Sequence, residues 1–240
     1  MMMHSALLEG VGALGVPISP HQLAQFERYA ADLVAWNRRS NLTTITDPLD
    51  IVRKHFLDSL SVLSVCEPEP GARVIDVGSG AGFPGLPLRI ARPDLRVTLL
   101  EATRKKCDFL RHVVTVLALD NVHVVNGRAE DAARAAAHRE RYDIAVARAV
   151  AETTTLAEYL LPFVRVGGWA LAMKSGEVEA EVERAARAIA TLGGRLQCIA
   201  PLSVPGIDEP RTVVVIGKAA LTPGKYPRRA GMPEKRPIAK

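Results

Sequence analysis

From Arg73 onward the chain alternates short apolar runs with longer stretches whose apolar positions recur every three or four residues. The runs fall at 73–77, 96–100, 122–126, 142–147, 168–173, 196–200 and 211–217. The helical stretches follow Pro84 and then occupy 103–118, 129–138, 153–163 and 177–192. Such alternation predicts a mainly parallel sheet covered by helices on both faces. The last two runs are joined by PLSVPGIDEPR, which offers no helical repeat, so they are expected to pair as an antiparallel hairpin. The fold class expected is α/β: a seven-stranded, doubly wound, Rossmann-like sheet whose last strand is antiparallel.

Upstream, residues 21–39 place Leu23, Phe26, Tyr29, Ala30, Leu33, Val34 and Trp36 on one helical face. Asp47 and Pro48 then mark a second helix start, an acid at the N-cap and proline in the first turn. These two helices predict a small N-terminal cap, and EPEPG at 67–71 is a turn cluster that separates it from the sheet. The organisation read from the sequence is a helical cap at 1–66, a ligand-binding sheet domain at 67–219 and a tail at 220–240.

The first apolar run carries the chain's most informative chemistry. RVIDVGSGAGFPG, at 73–85, is a strand that reaches a carboxylate at Asp76 and then a turn with Gly78, Gly80 and Gly82. Glycines let backbone approach a nucleotide-like ligand. Gly80, Gly82 and Gly85 also satisfy G-x-G-x-x-G, so the bare pattern does not choose the ligand. Asp76 argues against a dinucleotide, whose pyrophosphate it would repel. It suits a ligand carrying an ammonium and a sulfonium, as S-adenosylmethionine does. Glu101, at the end of RVTLLE and twenty-three residues beyond Gly78, is placed to accept both hydroxyls of a ribose. Either kind of nucleoside would use it.

Length and composition narrow the classes. A chain of 240 residues with 48% hydrophobic content holds one α/β domain and a small appendage. No apolar run reaches membrane-spanning length and the first residues lack a basic n-region, so a cytoplasmic protein without a membrane partner is expected. The three leading methionines leave the start site open. Cys66, Cys107 and Cys198 stand in no C-x-x-C, which points to no metal and no disulfide framework; all three are expected buried or half-buried. The formal charge of +5 is local, because Lys218, Lys225, Arg228, Arg229, Lys235, Arg236 and Lys240 face only Glu234 in the last stretch. Such a tail either tracks a phosphate backbone or serves solubility.

Ligands of open α/β sheets lie beyond the carboxyl ends of the strands. There the chain offers Asp76, Glu101, Asn126, Arg148 and Lys174. Just past Asn126, Ala129 and Glu130 are placed to hold an adenine edge through a backbone N–H and a carboxylate, the alternative for Glu130 being a helix cap. The fourth strand end reads YDIAVARAVAE. It lacks the Asn/Asp-Pro-Pro-aromatic turn used to methylate exocyclic amines, and no cysteine stands in a strand-end turn to attack a pyrimidine. A methyl acceptor that is already nucleophilic fits, and guanine N7 is one. Arg148 is placed to orient the guanine or its phosphate, or to bind the cofactor carboxylate, the plain alternative being a surface ion pair. His55, Asp58 and Asn41 lie in the cap, where they could bond one another or the backbone to fix the cap on the sheet, and His55 and Asp58 are read as having that structural role.

Six segments in order, WNRRSNLTTIT at 36–46, HFLDS at 55–59, VIDVGSGAGFPGLPL at 74–88, RAE at 128–130, ARAVA at 147–151 and YPRRAGMPEKRPI at 226–238, resemble the ribosomal RNA small-subunit methyltransferase G family, also called glucose-inhibited division protein B. The resemblance implies methyl transfer from S-adenosylmethionine to guanine N7 in 16S rRNA, free or within the 30S subunit, with S-adenosylhomocysteine as product. It places cofactor contacts on Gly78, Phe83, Ala129, Glu130 and Arg148, beside Asp76, Gly80 and Glu101 from the residues themselves. It also makes the tail RNA-facing, with Arg228, Arg229, Lys235, Arg236 and the strand-end Lys174 as candidate contacts. Nothing demands more than a monomer. On the residues alone three rivals stay open: a methyltransferase for another RNA or a small molecule, a non-catalytic assembly factor that senses cofactor, and a nicotinamide-dependent reductase.

Overall fold

The computed structural model describes residues 2–238; Met1 of the leading methionines and Lys240 of the tail lie outside them. Seven strands form one sheet: β1 (Arg73–Val77), β2 (Arg96–Glu101), β3 (Val122–Asn126), β4 (Tyr142–Arg148), β5 (Val164–Ser175), β6 (Gly194–Leu202) and β7 (Arg211–Lys218). Their order is β3-β2-β1-β4-β5-β7-β6, and β7, inserted between β5 and β6, is antiparallel to both. The hairpin expected from PLSVPGIDEPR is therefore present, and all seven runs form strands. Chain order reverses direction between β1 and β4, the place where open sheets leave a crevice at their carboxyl edge.

Alternation along the strands splits the core into two layers. Val74, Val97, Leu99, Val146, Leu171 and Val213 face one side, whereas Ile75, Val77, Leu100, Ala145, Ala172 and Val214 face the other. On the first side lie α1 (Met2–Ala13), α2 (Pro20–Ser40), α5 (Gly85–Ala91) and α6 (Arg104–Val116), together with a helical stretch made of α3 (Pro48–Asp50), a π-helical turn (Ile51–Leu57), α4 (Asp58–Leu60) and a 3-10 turn (Ser61–Ser64). The second side carries α7 (Ala129–Ala132), α8 (Thr153–Leu160) and α9 (Glu179–Thr191), and the short α10 (Met232–Lys235) packs on α8.

The cap is welded to the sheet. Phe26, Tyr29 and Phe56 are fully buried with Phe83 and Phe109 in one apolar layer, and the Tyr29 ring lies 5.4 Å from that of Phe83. The Tyr29 hydroxyl, kept protonated by burial, donates to the Ala81 carbonyl at 2.5 Å. Gln22 Nε2 donates to Ile90 O at 2.6 Å. The cap thus fixes the glycine turn from below.

At four places the structure corrects or adds to the expectations. The apolar stretch before Pro20 is a helix, α1, that its glycines conceal; Gly10 is there because a Cβ would lie 2.2 Å from Leu57 Cδ1. The helix expected over 129–138 stops at Ala132 and continues as turns, because the neighbouring Arg134 and Arg139 are drawn to the carbonyls of Pro227, Tyr226 and Thr222 and tertiary bonds override alanine propensity. Cys198 is exposed, since β6 is an edge strand with a bulge between Leu196 and Cys198. The tail does not leave the body as an arm. Arg228 grips the buried Glu158 with Nη2 at 2.6 Å and Nε at 3.0 Å, and Gly231 N donates to Glu130 Oε1 at 2.7 Å; Lys218, the last residue of β7, has a fully buried side chain paired with Glu140 at 3.2 Å.

Candidate functional site

The turn after β1 is built on left-handed backbone, with φ of +75° at Gly78, +59° at Gly80 and +104° at Gly82. Gly78 N and Ser79 N both donate to Leu100 O, at 2.8 and 3.1 Å, which folds the turn back over the end of β2. A Cβ on Gly78 would stand 2.9 Å from Val150 Cγ2. Position 78 therefore favours glycine on two counts, its φ and the close approach of the Val150 side chain across the crevice.

Asp76 is not a wall of that crevice, which corrects the direct contact expected of it. It is fully buried on the cap side of β1, where Oδ2 accepts from Gly85 N at 2.8 Å and Oδ1 has no partner. Burial, the largest influence, pushes its pKa up to about 7. Its carboxyl pins the start of α5 to β1 and so sets the turn above it. The folded pKa lies above that of an unfolded aspartate, so the group's contribution to stability is full below about pH 4 and is lost as pH rises towards 7. Asp76→Asn, which keeps the acceptor and removes the charge, should become progressively more stable relative to the parent across that window, by about 1.4 kcal/mol for each tenfold difference in proton affinity between the folded and unfolded carboxyl. Urea unfolding of both proteins at pH 5 and pH 8 measures it; a gap independent of pH would mean that Asp76 is ionised and paired.

Two contiguous hollows meet at Gly78. One, of about 110 Å³, is lined by Gly78, Glu101, Ala129, Glu130, Val150 and Tyr159. The other, of about 380 Å³, includes Gly80, Phe83, Lys106 and Arg148, and shares Gly78, Glu101 and Val150 with the first. Glu101 accepts from Gly80 N at 3.0 Å and from Thr103 N at 2.7 Å, one bond on each oxygen. A carboxylate with about four lone-pair sites keeps acceptor capacity for two hydroxyls. Tyr159 was missed in the sequence, where it reads as one more apolar position of a helix; burial, then nearby Glu130, lifts its pKa to about 12, so its hydroxyl is a donor.

Arg148, at the end of β4, joins the cap to the site. Its Nη1 donates to Asp58 Oδ2 at 2.6 Å and to Lys54 O at 3.1 Å, its Nη2 donates to His55 Nδ1 at 3.2 Å, and its guanidinium lies 5.1 Å from the Phe83 ring centre. Asp58 also holds Arg211 Nε at 3.2 Å. Arginine has no acceptor, so His55 Nδ1 accepts and Nε2 carries the proton towards Thr43 Oγ1, 2.9 Å away. Burial, reinforced by Arg148, lowers the His55 pKa to about 3; the ring stays neutral and both nitrogens are engaged. His55 and Asp58 thus bond to the sheet as the structural reading expected. The π-helical turn is what brings Lys54 O and the His55 ring to one guanidinium, and no sequence pattern marks it.

A third hollow, of about 620 Å³, opens on the far side of Arg148 and is lined by Lys54, His55, Asp58, Lys174, Glu181 and Arg211 among others. Lys174 is not free there. Its Nζ donates to Ala151 O and Glu181 Oε1, both at 2.6 Å. Of the tail residues expected to face RNA, Arg228 is committed to Glu158, whereas Arg229, Lys235 and Arg236 are exposed.

A profile described as GidB, rRNA small subunit methyltransferase G, matches residues 22–207. Similar curated proteins carry the name ribosomal RNA small subunit methyltransferase G: that of Roseiflexus sp. strain RS-1 is 53% identical over 97% of this chain and 98% of its own length, and that of Chloroflexus aggregans 48% over 97% of each. Among solved structures the fold is similar to TrmN from Thermus thermophilus, with TM-score 0.52 and 18% identity over 70% of this chain and 53% of that one. It is also similar to M. jannaschii TYW2 in complex with AdoMet, with TM-score 0.51 and 15% identity over 63% and 71%.

Proposed function

The chain belongs to the rRNA small subunit methyltransferase G family, and from that premise we propose that the two hollows meeting at Gly78 hold S-adenosylmethionine while the hollow beyond Arg148 receives the guanine. The reaction itself is methyl transfer from S-adenosylmethionine to N7 of guanine 527 in 16S rRNA. The observation that carries the placement is the cradle at Gly78, where bare backbone faces Val150 across a gap that one added carbon would fill.

The residues present fit the cofactor. Glu101 has acceptor capacity for a ribose, Glu130 and Ala129 N–H border the smaller hollow where an adenine edge would lie, and Gly78 leaves room between them. Bound S-adenosylmethionine supplies an activated methyl group. Arg148 borders both the cofactor side and the open hollow. It orients the guanine through O6 or a phosphate, because a donor on N7 would consume the lone pair that attacks. No general base is needed, since N7 holds no proton, and His55 with both nitrogens bonded is not available as one. Rate enhancement then rests on proximity and orientation, for which effective molarities of about 10⁵ M or more are known.

Titration calorimetry with S-adenosylmethionine and, separately, NAD tests the placement. The cofactor should bind and NAD should not, and Glu101→Gln should weaken the cofactor by about tenfold through its lost charge-assisted ribose bonds. NAD binding, or an affinity indifferent to Glu101, would overturn it.

A further inference from the structure

We propose that the rRNA is gripped on the cap side of the crevice, by a cationic rim formed from Arg38 and Arg39 at the end of α2 and Arg104, Lys105 and Lys106 at the start of α6. The inference rests on the rRNA methyltransferase reading and names the surface that engages the substrate.

The two helix ends lie side by side. The Trp36 ring lies tilted against those of Phe109 and His112, with ring centres 5.6 and 5.0 Å apart, and Asp32 meets His112 at 3.3 Å. Helices α2 and α6 are therefore antiparallel, and one turn on from Trp36 brings Arg39 beside Lys105 and Lys106. The loop that leaves α2 carries Leu42 and Thr43 into the hollow that Lys106, Gly78 and Arg148 also line. The rim is the lip of the site.

Its charge is not spent internally. Elsewhere in the molecule Arg148, Arg211, Lys174, Lys218 and Arg228 are each held by a carboxylate. Among the described residues none of the five rim cations has such a partner, and only Arg39 is engaged at all, its guanidinium 4.4 Å from the Trp36 ring centre. Arg38, Arg39, Arg104 and Lys105 are exposed.

The cations on α6 are also in an unfavourable place for the isolated protein. The first turn of a helix favours acids, which complement its dipole, and α6 opens with three bases and no acid. That local cost is offset when a polyanion lies across both helix ends. A phosphate backbone fits better than a single small anion, because the cations are spread over two helices and lead towards the hollow where the base must enter. The tail's exposed bases stand on the other side, past Glu130 and Gly231.

The test is the triple variant Arg38→Gln, Arg39→Gln, Lys105→Gln, which keeps the stems and spares Lys106 in the hollow. Filter binding to an unmethylated 16S rRNA transcript between 50 and 200 mM salt should show an affinity about tenfold lower and a log–log salt slope shallower by about 2, at ~0.7 per lost phosphate contact. Cofactor affinity, read by calorimetry on the protein alone, should match the parent and so certify the fold. A salt slope equal to the parent's, or one that falls instead on Arg229→Gln, Lys235→Gln, would overturn the rim. A parent protein that binds the transcript with the expected slope yet transfers no methyl group to it or to unmethylated 30S subunits would sink the proposed function, not the surface.

Discussion

Gly78→Val is expected to abolish S-adenosylmethionine binding in a protein that still folds. The new Cβ would stand 2.9 Å from Val150 Cγ2 and its two methyl groups would fill the junction of the two hollows, and at 1.4 kcal/mol per tenfold a loss of ~2.8 kcal/mol already weakens the cofactor 100-fold. The fold should tolerate the change. A non-glycine residue at φ of +75° costs about 1–2 kcal/mol, against a total of about 5–15 kcal/mol for a domain, and Val150 is exposed and free to swing aside. Calorimetry together with thermal unfolding separates the two effects. Retained affinity would remove the cofactor from this junction.

Arg148→Ala should cost the methyl-transfer step about 100-fold, the usual toll of deleting one oriented donor at a reacting centre, while cofactor affinity changes by about tenfold or less. The asymmetry follows from where Arg148 stands, between the cofactor hollow and the open one. Asp58 is not orphaned in the variant, because Arg211 still holds Oδ1, so the cost stays well short of that of an unpaired buried charge. Arg148→Lys should rescue little. One ammonium cannot reach Asp58, the Lys54 carbonyl and His55 Nδ1 together. Single-turnover transfer with saturating 16S rRNA reads the step, and a rate equal to the parent's would reduce Arg148 to a cap fastener.

Much of the sheet was legible because its central strands β1, β2 and β4 are short apolar runs buried on two faces, and because PLSVPGIDEPR leaves no room for a crossover helix. What was hidden depends on contacts across the chain. The glycine that helps disguise α1 makes way for Leu57 in a later helix, and the alanines after Ala132 look helical until Arg134 and Arg139 are seen reaching for the tail. The site shows the same division. Gly78, Glu101 and Glu130 carry spacing signals, and the structure brings them to one crevice. Asp76 carries an equally strong signal, yet it lies under the turn, since a strand's alternation decides which way a side chain points before its chemistry counts. Glu158 had no signal as a partner for Arg228, and a basic run gave no hint that one of its members was already committed.

The central claim is that this crevice delivers a methyl group to guanine N7 of 16S rRNA. Purified protein, methyl-labelled S-adenosylmethionine and 30S subunits or 16S rRNA lacking the modification, followed by mapping of the labelled nucleotide, test it most directly. The account predicts label in a single 7-methylguanosine, absent with Gly78→Val. Label on another base or another guanine atom, or none with the parent protein, would contradict it.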